Sequence, residues 1–384
     1  MSTAFAETLS SPVKSPPWQQ TTIAGTPYTV DWLLEALNED GNEISDVEIS
    51  NVTGGGGFVS QIIRIVLKYR NRSAQKSVIL KAPIPDSFED GFEQVNIDYF
   101  NRELEFYDVF LPYLTIPVPK IHKMVKWIPE MTAGAILMED LTELCHILPV
   151  CQSLSLQQVL NIAEHLADLH NSFLSLPDDQ RAELSARFPP QEGCIHFQVD
   201  LIVPRAFEVA RKHAGVFGAK LERFADILRD ADYHRYTSAT LSEPIGVPRV
   251  LVHGDLWSNN ILWRNGADST VIGAFLDWQG FMVGSLAFDL SRILCLCTST
   301  EIRRENTKEI VSHYYRKLKN PTFRESAVIK AIDETMPYQC AHMLFAIQLV
   351  EERCDNAGLE TMISRASAAL DDCLEREISY HQNK

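Results

Sequence analysis

The chain has 384 residues, of which 45% are hydrophobic, so it can bury large cores and is long enough to form two lobes. Its 35 basic and 51 acidic residues give a formal net charge of −16, which argues against nucleic acid or an anionic membrane surface as the main partner. A neutral or cationic small molecule is easier to accept as a partner.

The chain begins with a segment rich in Ser and Pro, residues 1–27, which is typical of a flexible leader. This segment has no apolar run long enough for a signal peptide or a membrane span, so membrane insertion is not expected. The cysteines have no C-x-x-C spacing, which favours reduced thiols. The expected location is therefore cytoplasmic, and the sequence does not indicate an oligomeric state.

Residues 28–140 are predicted to form a β-rich N-terminal lobe. A short helix is expected over residues 29–38, because apolar residues recur there at helical spacing. A longer helix is expected over residues 91–110. Strands are predicted over residues 61–69, 77–82, 120–125 and 135–138.

Two features of this lobe are typical of a nucleotide-binding site. Gly55, Gly56 and Gly57 precede the first predicted strand, and glycine there permits positive φ and lets backbone N–H groups approach phosphate oxygens. Lys81 closes a β-branched strand, where a compact ammonium group suits the α- and β-phosphates of a nucleotide. An ordinary charge at a strand end is the alternative interpretation of Lys81.

Residues 141–384 are predicted to form a larger, mostly helical C-terminal lobe. Ser155 begins a capping box ahead of a long helix. Residues 174–190, rich in Asp and Pro, are interpreted as a loop, and residues 206–236 as helix. The chain from residue 289 onwards is again predicted to be helical.

The segment LVHGDLWSNNILW places Asp255 and Asn260 five residues apart in a loop between apolar, strand-like stretches. In a phosphoryl-transfer loop, one Asp meets the incoming hydroxyl and an amide oxygen further along binds Mg²⁺. Asp277 follows 17 residues after Asn260, where an apolar strand would deliver a second metal ligand. The alternatives are a polar turn for the first two residues and a helix N-cap or turn for Asp277.

Two neighbouring polar residues have two interpretations each. His253 could act as an acid or base, or it could frame the loop through hydrogen bonds to backbone groups. Asp289 could hydrogen-bond the loop, or it could be a charge at a helix N-terminus. Trp257 and Trp278 are interpreted as packing residues.

Four segments, HGDLWSNNILW, LDWQ, RELEFY and GSLAFDLSRIL, resemble the protein-kinase-like small-molecule phosphotransferases, above all the ecdysteroid-kinase-like and CHK kinase-like proteins. The resemblance covers most of the chain from about residue 52 to residue 294. It implies an α+β, two-lobed, protein-kinase-like fold, with a small antiparallel β-sheet and one main helix in the N-lobe. The glycine run reads GGGGFVSQ and departs from the G-x-G-x-x-G of protein kinases.

The resemblance also implies roles for individual residues. The Asp of HGD, here Asp255, is expected to be the catalytic base, and Asn260 and Asp277 are expected to be metal ligands. The run 136–141 resembles a hinge, where backbone groups at Glu139 and Leu141 would meet an adenine ring. The implied cofactors are ATP and Mg²⁺.

Two glutamates in the helix over residues 91–110 could anchor Lys81. Glu103 and Glu105 are two residues apart, so they face different directions on a helix. In the family the Glu lies four residues before a Tyr, which favours Glu103 because Tyr107 follows it at that spacing. Glu105 stays the alternative.

The expected function is transfer of the γ-phosphoryl group of ATP to a hydroxyl of a small molecule, such as a choline-like, sterol-like or ecdysteroid-like, or xenobiotic alcohol. The alternative is a non-catalytic kinase-like protein that binds a nucleotide or a lipophilic ligand. The joint presence of all the charged groups that catalysis needs favours the enzyme. A protein kinase is disfavoured, because the loop is not H-R-D-L-x-x-x-N and no evident A-P-E follows Asp277.

Overall fold

The computed structural model describes residues 20–52, 60–84, 91–266, 269–351, 354–376 and 378–380. The chain divides into two compact units, one made of Met1–Ser87 and Lys120–Asp140 and the other of Phe88–Pro119 and Leu141–Lys384. The functional division into lobes at residues 28–140 and 141–384 stays a prediction. Within the described ranges, no helix combines the length and the apolar character needed to cross a membrane.

The first unit is an antiparallel sheet of five strands, in the order β1-β2-β3-β5-β4, together with helix α1. The elements are α1 (Val30–Leu37), β1 (Ile44–Asn51), β2 (Ser60–Tyr69), β3 (Gln75–Pro83), β4 (Ile121–Ile128) and β5 (Thr132–Glu139). The predicted short helix and the four predicted strands are confirmed. Strand β1 was not predicted, because it is an edge strand whose residues are mostly exposed and its sequence ISDVEISN has no apolar run.

Apolar periodicity explains how α1 packs on this sheet. The helix begins after Thr29, whose hydroxyl accepts the N–H of Trp32 at 3.3 Å, and it ends at Asn38 in the left-handed conformation. Buried side chains of α1 and of β2, β3 and β5 form one core. They include Val30, Leu33, Leu34, Leu37, Ile63, Ile65, Leu67, Val78, Leu80 and Leu137.

The second unit is mostly helical and contains two small antiparallel sheets. Its helices are α2 (Glu93–Phe110), α3 (Leu156–Leu174), α4 (Asp178–Arg187), α5 (Glu192–Phe197), α6 (Val203–Lys212), α7 (Ala214–Phe217), α8 (Ala225–Leu228), α9 (Ala231–Arg235), α10 (Ser242–Ile245), α11 (Phe288–Arg292), α12 (Thr300–Lys317), α13 (Glu325–Val350) and α14 (Asn356–Leu374). Its strands are β6 (Cys145–Ile147), β7 (Arg249–Val252), β8 (Ile261–Arg264), β9 (Ile272–Phe275) and β10 (Met282–Ser285). Strand β7 pairs with β10, and β6, β8 and β9 form the other sheet.

The predictions for the helical part are partly confirmed. The capping box at Ser155 is present, and it opens α3. The loop prediction for residues 174–190 is wrong, because α4 occupies most of that range. The sequence of α4 has no apolar stripe, and Leu184 is the one residue of this helix that is buried, so apolar periodicity did not predict the helix. The acidic residues of its first turn are favourable at a helix N-terminus. The prediction of helix over residues 206–236 is confirmed, although the chain there is divided into short helices, with Gly218 at positive φ after α7.

Helix α2, the predicted helix over residues 91–110, packs within the second unit. The ring of Phe106 stacks on Trp278, with centroids 3.8 Å apart and ring planes within 7° of parallel. Arg102 donates to the carbonyl oxygens of Phe281 at 3.2 Å and Pro189 at 2.8 Å. These contacts fix α2 beside the segment that follows β9.

A buried ion pair joins α12 to α14. Arg303 Nε donates to Asp372 at 2.9 Å, and both Nη atoms of Arg303 are buried with no hydrogen-bond partner in the described part of the chain. Arg304 Nε donates to the other oxygen of the same carboxylate at 2.8 Å. Asp372 is therefore the group that compensates the burial of the Arg303 charge.

We expect Asp372→Ala to lower the free energy of unfolding by about 3–5 kcal/mol, because it leaves a buried guanidinium without its counter-charge. Chemical denaturation of purified protein measures this. The matched control is Glu351→Ala, which breaks the more exposed pair with Lys212 and should cost less than about 1 kcal/mol. Equal losses in the two variants would show that Arg303 does not depend on Asp372.

Candidate active site

The candidate site is built around the loop 253–260, which joins the end of β7 to the start of β8. Strand β7 pairs with β10 and strand β8 pairs with β9, so both ends of the loop lie beside the segment 276–281 that joins β9 to β10. The N–H of Leu276 donates to the carbonyl oxygen of Asn260 at 2.9 Å. This bond brings Asn260 next to the residue that precedes Asp277.

The loop turns at Gly254, where only glycine fits. The φ of Gly254 is +82°, and a Cβ there would lie 1.9 Å from the carbonyl oxygen of Gly280. Any side chain would therefore clash with the backbone of the segment after Asp277. The close approach holds the catalytic-loop candidate and the metal-ligand segment together.

His253 frames the loop through backbone groups. Its Nε2–H donates to the carbonyl oxygen of Leu276 at 2.8 Å, and its Nδ1 accepts the N–H of Asp255 at 3.3 Å. Burial lowers the pKa of His253 to about 4, so the ring is neutral near pH 7. The loop-framing interpretation is confirmed, and an acid or base role is not supported because both ring nitrogens are engaged.

Asp289 anchors the backbone of the loop from α11. Its carboxylate is fully buried and accepts the N–H groups of His253 at 2.7 Å and Gly254 at 2.9 Å. Burial raises the pKa of Asp289 to about 6, although these two hydrogen bonds act in the opposite direction. The predicted hydrogen bond from Asp289 to the loop is confirmed.

Asp255 is held by groups on both its backbone and its side chain. Its Oδ1 accepts from Nη1 of Arg292 at 2.8 Å, and the side chains are 34% and 4% exposed respectively. The amide nitrogen of Asn260 donates to the backbone carbonyl of Asp255 at 2.8 Å. Because this bond uses the nitrogen of the amide, Oδ1 is the atom of Asn260 that can serve as a metal ligand.

Asp277 adopts the left-handed conformation, with φ 63° and ψ 63°, two residues after the end of β9. It precedes a short 3₁₀ turn but its side chain does not cap that turn, so the side-chain cap is not present, whereas the turn position of the alternative interpretation is. Burial first, then the Glu103 and Asp277 carboxylates, raises the pKa of Tyr107 well above its ordinary value. The negative charges of Glu103 and Asp277 therefore both act on the Tyr107 hydroxyl.

The two glutamates of α2 have different surroundings. Glu103 is buried, and its Oε1 accepts from the hydroxyl of Tyr107 at 3.4 Å. Glu105 is exposed and lies 3.9 Å from Arg187 on α4. Of the two glutamates, Glu103 is the buried one and accepts from Tyr107, which supports it over Glu105 as the functional residue.

Lys81 lies in the first unit, in β3, which is the central strand of the sheet. It is opposite Ile62 of β2 and Ile136 of β5, and it is only 7% exposed. A lysine is rarely this buried unless it is paired, so an ordinary exposed strand-end charge does not describe it. Its contact with phosphates stays a prediction, as does that of Gly55, Gly56 and Gly57, which lie outside the described residues.

The hinge candidates have some backbone groups already engaged. The N–H of Glu139 donates to the carbonyl of Lys120 at 2.8 Å. The carbonyl of Leu141 accepts the N–H groups of Leu144 at 3.0 Å and Cys145 at 2.9 Å. An adenine contact of the backbone at Glu139 and Leu141 stays a prediction.

Arg292 is the functional candidate that the sequence did not single out. It is the last residue of α11 and follows Asp289 by three residues, so both lie on one face of the helix. A signal was present, since Arg292 is an isolated cation in the apolar stretch FDLSRILCLC. Its pairing with Asp255, 37 residues away along the chain, could not be read from local spacing.

The donor atoms at Asn260 and Asp277 suit a hard divalent cation, because amide and carboxylate oxygens are the ligands that Mg²⁺ prefers. Among the residues that the structure describes, no cluster of three or more His, Cys, Asp or Glu could hold a metal ion. Magnesium is commonly held by one or two protein oxygens together with phosphates of a substrate. The residues present therefore fit a Mg²⁺ ion that is shared with a phosphate ligand.

We expect the stability difference between the wild type and Asp289→Asn to depend on pH. The pKa of Asp289 is about 6 in the folded protein and near its ordinary value of 3.8 when unfolded, so the folded state binds more protons between these values. The wild type should therefore gain about 1 kcal/mol relative to the variant between pH 7 and pH 5. Denaturation of both proteins at the two pH values measures this, and a difference that does not change with pH would contradict the raised pKa.

Two solved structures are similar to this chain over nearly their whole length. The microcompartment-associated aminopropanol kinase has a TM-score of 0.52 at 16% identity, with 92% of this chain and 98% of that chain covered. The GDP complex of wild-type aminoglycoside 2'-phosphotransferase-IIIa has a TM-score of 0.51 at 12% identity, with 89% and 97% covered. At such identities the similarity concerns the fold alone. The predicted α+β, protein-kinase-like fold is confirmed.

Two curated relatives from Caenorhabditis elegans match most of the chain. An uncharacterized oxidoreductase is 29% identical over 322 residues, which are 76% of this chain and 37% of that protein. An uncharacterized kinase-like protein is 26% identical over 248 residues, which are 64% of this chain and 63% of that protein. The chain thus spans less than two thirds of the length of either relative.

The sequence model of the ecdysteroid kinase-like family matches residues 54–325, well over half of the 384 residues. That range contains every residue of the loop 253–260, the segment after β9 and helix α11. The chain belongs to the ecdysteroid kinase-like family.

Proposed function

We propose that this protein is an ATP- and Mg²⁺-dependent phosphotransferase that moves the γ-phosphoryl group of ATP to a hydroxyl of a small molecule. The observation that carries the proposal is the set of hydrogen bonds that fixes Asp255, Asn260 and the residue before Asp277 to one another. Phosphoryl transfer depends mainly on positioning and on charge stabilisation, and this network supplies rigid positions for both.

In this proposal Asp255 orients the acceptor hydroxyl and takes its proton. Its carboxylate is partly exposed, so a ligand can reach it, while Arg292 and the neutral His253 fix its surroundings. Asn260 and Asp277 hold Mg²⁺ through their side-chain oxygens. When bound, the metal neutralises charge on the phosphates.

The residues proposed to bind the nucleotide are those whose motifs follow one another along the chain in the order expected for such a site. Lys81, with Glu103 as its partner, would bind the α- and β-phosphates, as the family resemblance implies. The backbone of Glu139 and Leu141 would bind the adenine. The turn containing Gly55, Gly56 and Gly57 would cover the phosphates.

The acceptor is proposed to be a small alcohol, with choline-like, sterol- or ecdysteroid-like and xenobiotic alcohols as the classes to test. The net charge of −16 supports a neutral or cationic acceptor over a polyanionic one. A cytoplasmic location, where ATP is abundant, is part of the same proposal.

We expect Asp255→Ala to lower turnover by roughly 10²-fold or more, the scale of a general base, while Mg-ATP still binds. The reason is that the variant removes the proton acceptor and leaves the metal ligands in place. Steady-state kinetics and nucleotide titration measure the two effects separately. Turnover that survives unchanged would remove Asp255 from the catalytic role.

We expect Asp277→Ala to reduce turnover by about 10²–10³-fold, the scale of losing one electrostatic stabiliser, and to weaken the dependence on Mg²⁺. A screen of ATP consumption and thermal shift, with Mg²⁺ and a panel of hydroxyl-bearing metabolites, provides the measurement. Glu105→Ala, an exposed carboxylate on α2, is the matched control and should behave as the wild type. Stabilisation by Mg-ATP without consumption on any acceptor would favour the non-catalytic alternative, and no response to nucleotide would exclude the kinase.

A further inference from the structure

Arg292 is a buried arginine whose side chain reaches the candidate catalytic base. Its Nη1 donates to Asp255 Oδ1 at 2.8 Å, and the Arg292 side chain is only 4% exposed. Its Nε is buried and has no hydrogen-bond partner in the described part of the chain. A buried arginine with an unpaired N–H is costly, so a requirement for its charge at this point would explain why it is there.

The loop itself contains no cation that could take this role. Residues 253–260 read HGDLWSNN, with no Lys or Arg. The position before the catalytic Asp, which is Arg in the H-R-D pattern of protein kinases, is Gly254 here. Gly254 cannot carry a side chain, because a Cβ would lie 1.9 Å from the carbonyl oxygen of Gly280. The cation beside Asp255 therefore has to come from another element, and α11 supplies it.

Helix α11 contacts the loop twice from one face. Asp289 holds the backbone N–H groups of His253 and Gly254, and Arg292, three residues later, holds the side chain of Asp255. Burial raises the pKa of Tyr338 on α13, and the positive charge of Arg292 acts on that hydroxyl in the opposite direction. The backbone and the side chain of the loop are thus fixed by the same turn of helix.

The histidines near Arg292 do not add positive charge beside Asp255. His253 is neutral near pH 7, since burial lowers its pKa to about 4. Burial also lowers the pKa of His342 well below its ordinary value, with Arg292 contributing as a like charge. The ion-pair partner of Arg292 is Asp255. Burial raises the pKa of Asp289 to about 6, and the charge of Arg292 acts on that carboxyl in the opposite direction.

We propose that Arg292 is a positioning residue of the proposed phosphotransferase: it fixes Oδ1 of Asp255, so that the second carboxylate oxygen has one defined position from which to accept the hydroxyl proton. This inference rests on the proposed function. It predicts that Arg292 acts through Asp255 and not on the phosphates. Removing Arg292 should therefore affect the chemical step and leave nucleotide binding almost unchanged.

The test is a double-mutant cycle on turnover with Arg292→Met, Asp255→Ala and the double variant. Arg292→Met alone should lower kcat by about 10-fold to 10²-fold, because a misplaced base loses part or all of its contribution, while KM for ATP changes little. In the Asp255→Ala background, the same substitution should lower kcat by less than about threefold, because residues that act as a unit are not additive. Arg292→Lys, which keeps the charge, should recover part of the loss.

The matched control is Arg303→Met, which removes another buried, ion-paired arginine of the same unit outside the site. Measured well below its melting temperature, it should keep the kcat of the wild type. Losses from Arg292→Met and Asp255→Ala that multiply in an active enzyme would overturn the positioning role of Arg292 and leave the proposed function standing. A wild type that transfers phosphate to no acceptor would overturn both.

Discussion

A buried carboxylate on α11 accepts the two backbone N–H groups at which β7 turns into the candidate catalytic loop. The pairing of β7 with β10 ends at Val252, so the N–H groups of His253 and Gly254 have no strand partner. Leaving such groups buried and unpaired costs about 1–3 kcal/mol each. Asp289 satisfies both, and the raised pKa of its carboxyl reflects the desolvation that this requires. The sharp turn at Gly254, and hence the direction in which Asp255 leaves the strand, depends on this interaction.

A second set of hydrogen bonds connects the loop to the segment that contains Asp277. Leu276 is fixed on both sides, since its N–H donates to Asn260 and its carbonyl accepts from the His253 ring. The left-handed conformation of the following Asp277 costs roughly 1–2 kcal/mol for a residue with a Cβ. Such strain persists when the neighbouring structure determines it, and it is concentrated at functional sites. The position of Asp277 is therefore imposed by its neighbours on the chain and across the loop.

The features that could be predicted from the sequence are those that depend on interactions between residues close together along the chain. The core strands of the first unit and the long helices were predictable because their apolar residues repeat with the period of the element. The spacing of Asp255, Asn260 and Asp277 was readable because all three lie in one continuous stretch of the chain, between β7 and β10. Strand β1 and helix α4 were not predictable, because both are mostly exposed. Strand β1 depends on pairing at the edge of the sheet, and α4 is favoured by the polar residues of its first turn. Arg292 was missed for a different reason: its role depends on a contact between segments 37 residues apart.

The charges of the site restrict what it can bind. Asp255 is paired with Arg292, and the buried Asp289 lies on the same helix as Arg292. Asp277 and Glu103 add two carboxylates in the same unit. A phosphate ligand would be repelled by this surplus of negative charge unless cations accompanied it. Mg²⁺ bound to the nucleotide is such a cation, and its coordination by Asn260 and Asp277 would offset the charge of the Asp277 carboxylate beside the phosphates. Under the proposed function the site would favour a metal–nucleotide complex over a free nucleotide, because the carboxylates that oppose phosphate binding in the absence of metal are the groups that would attract the metal.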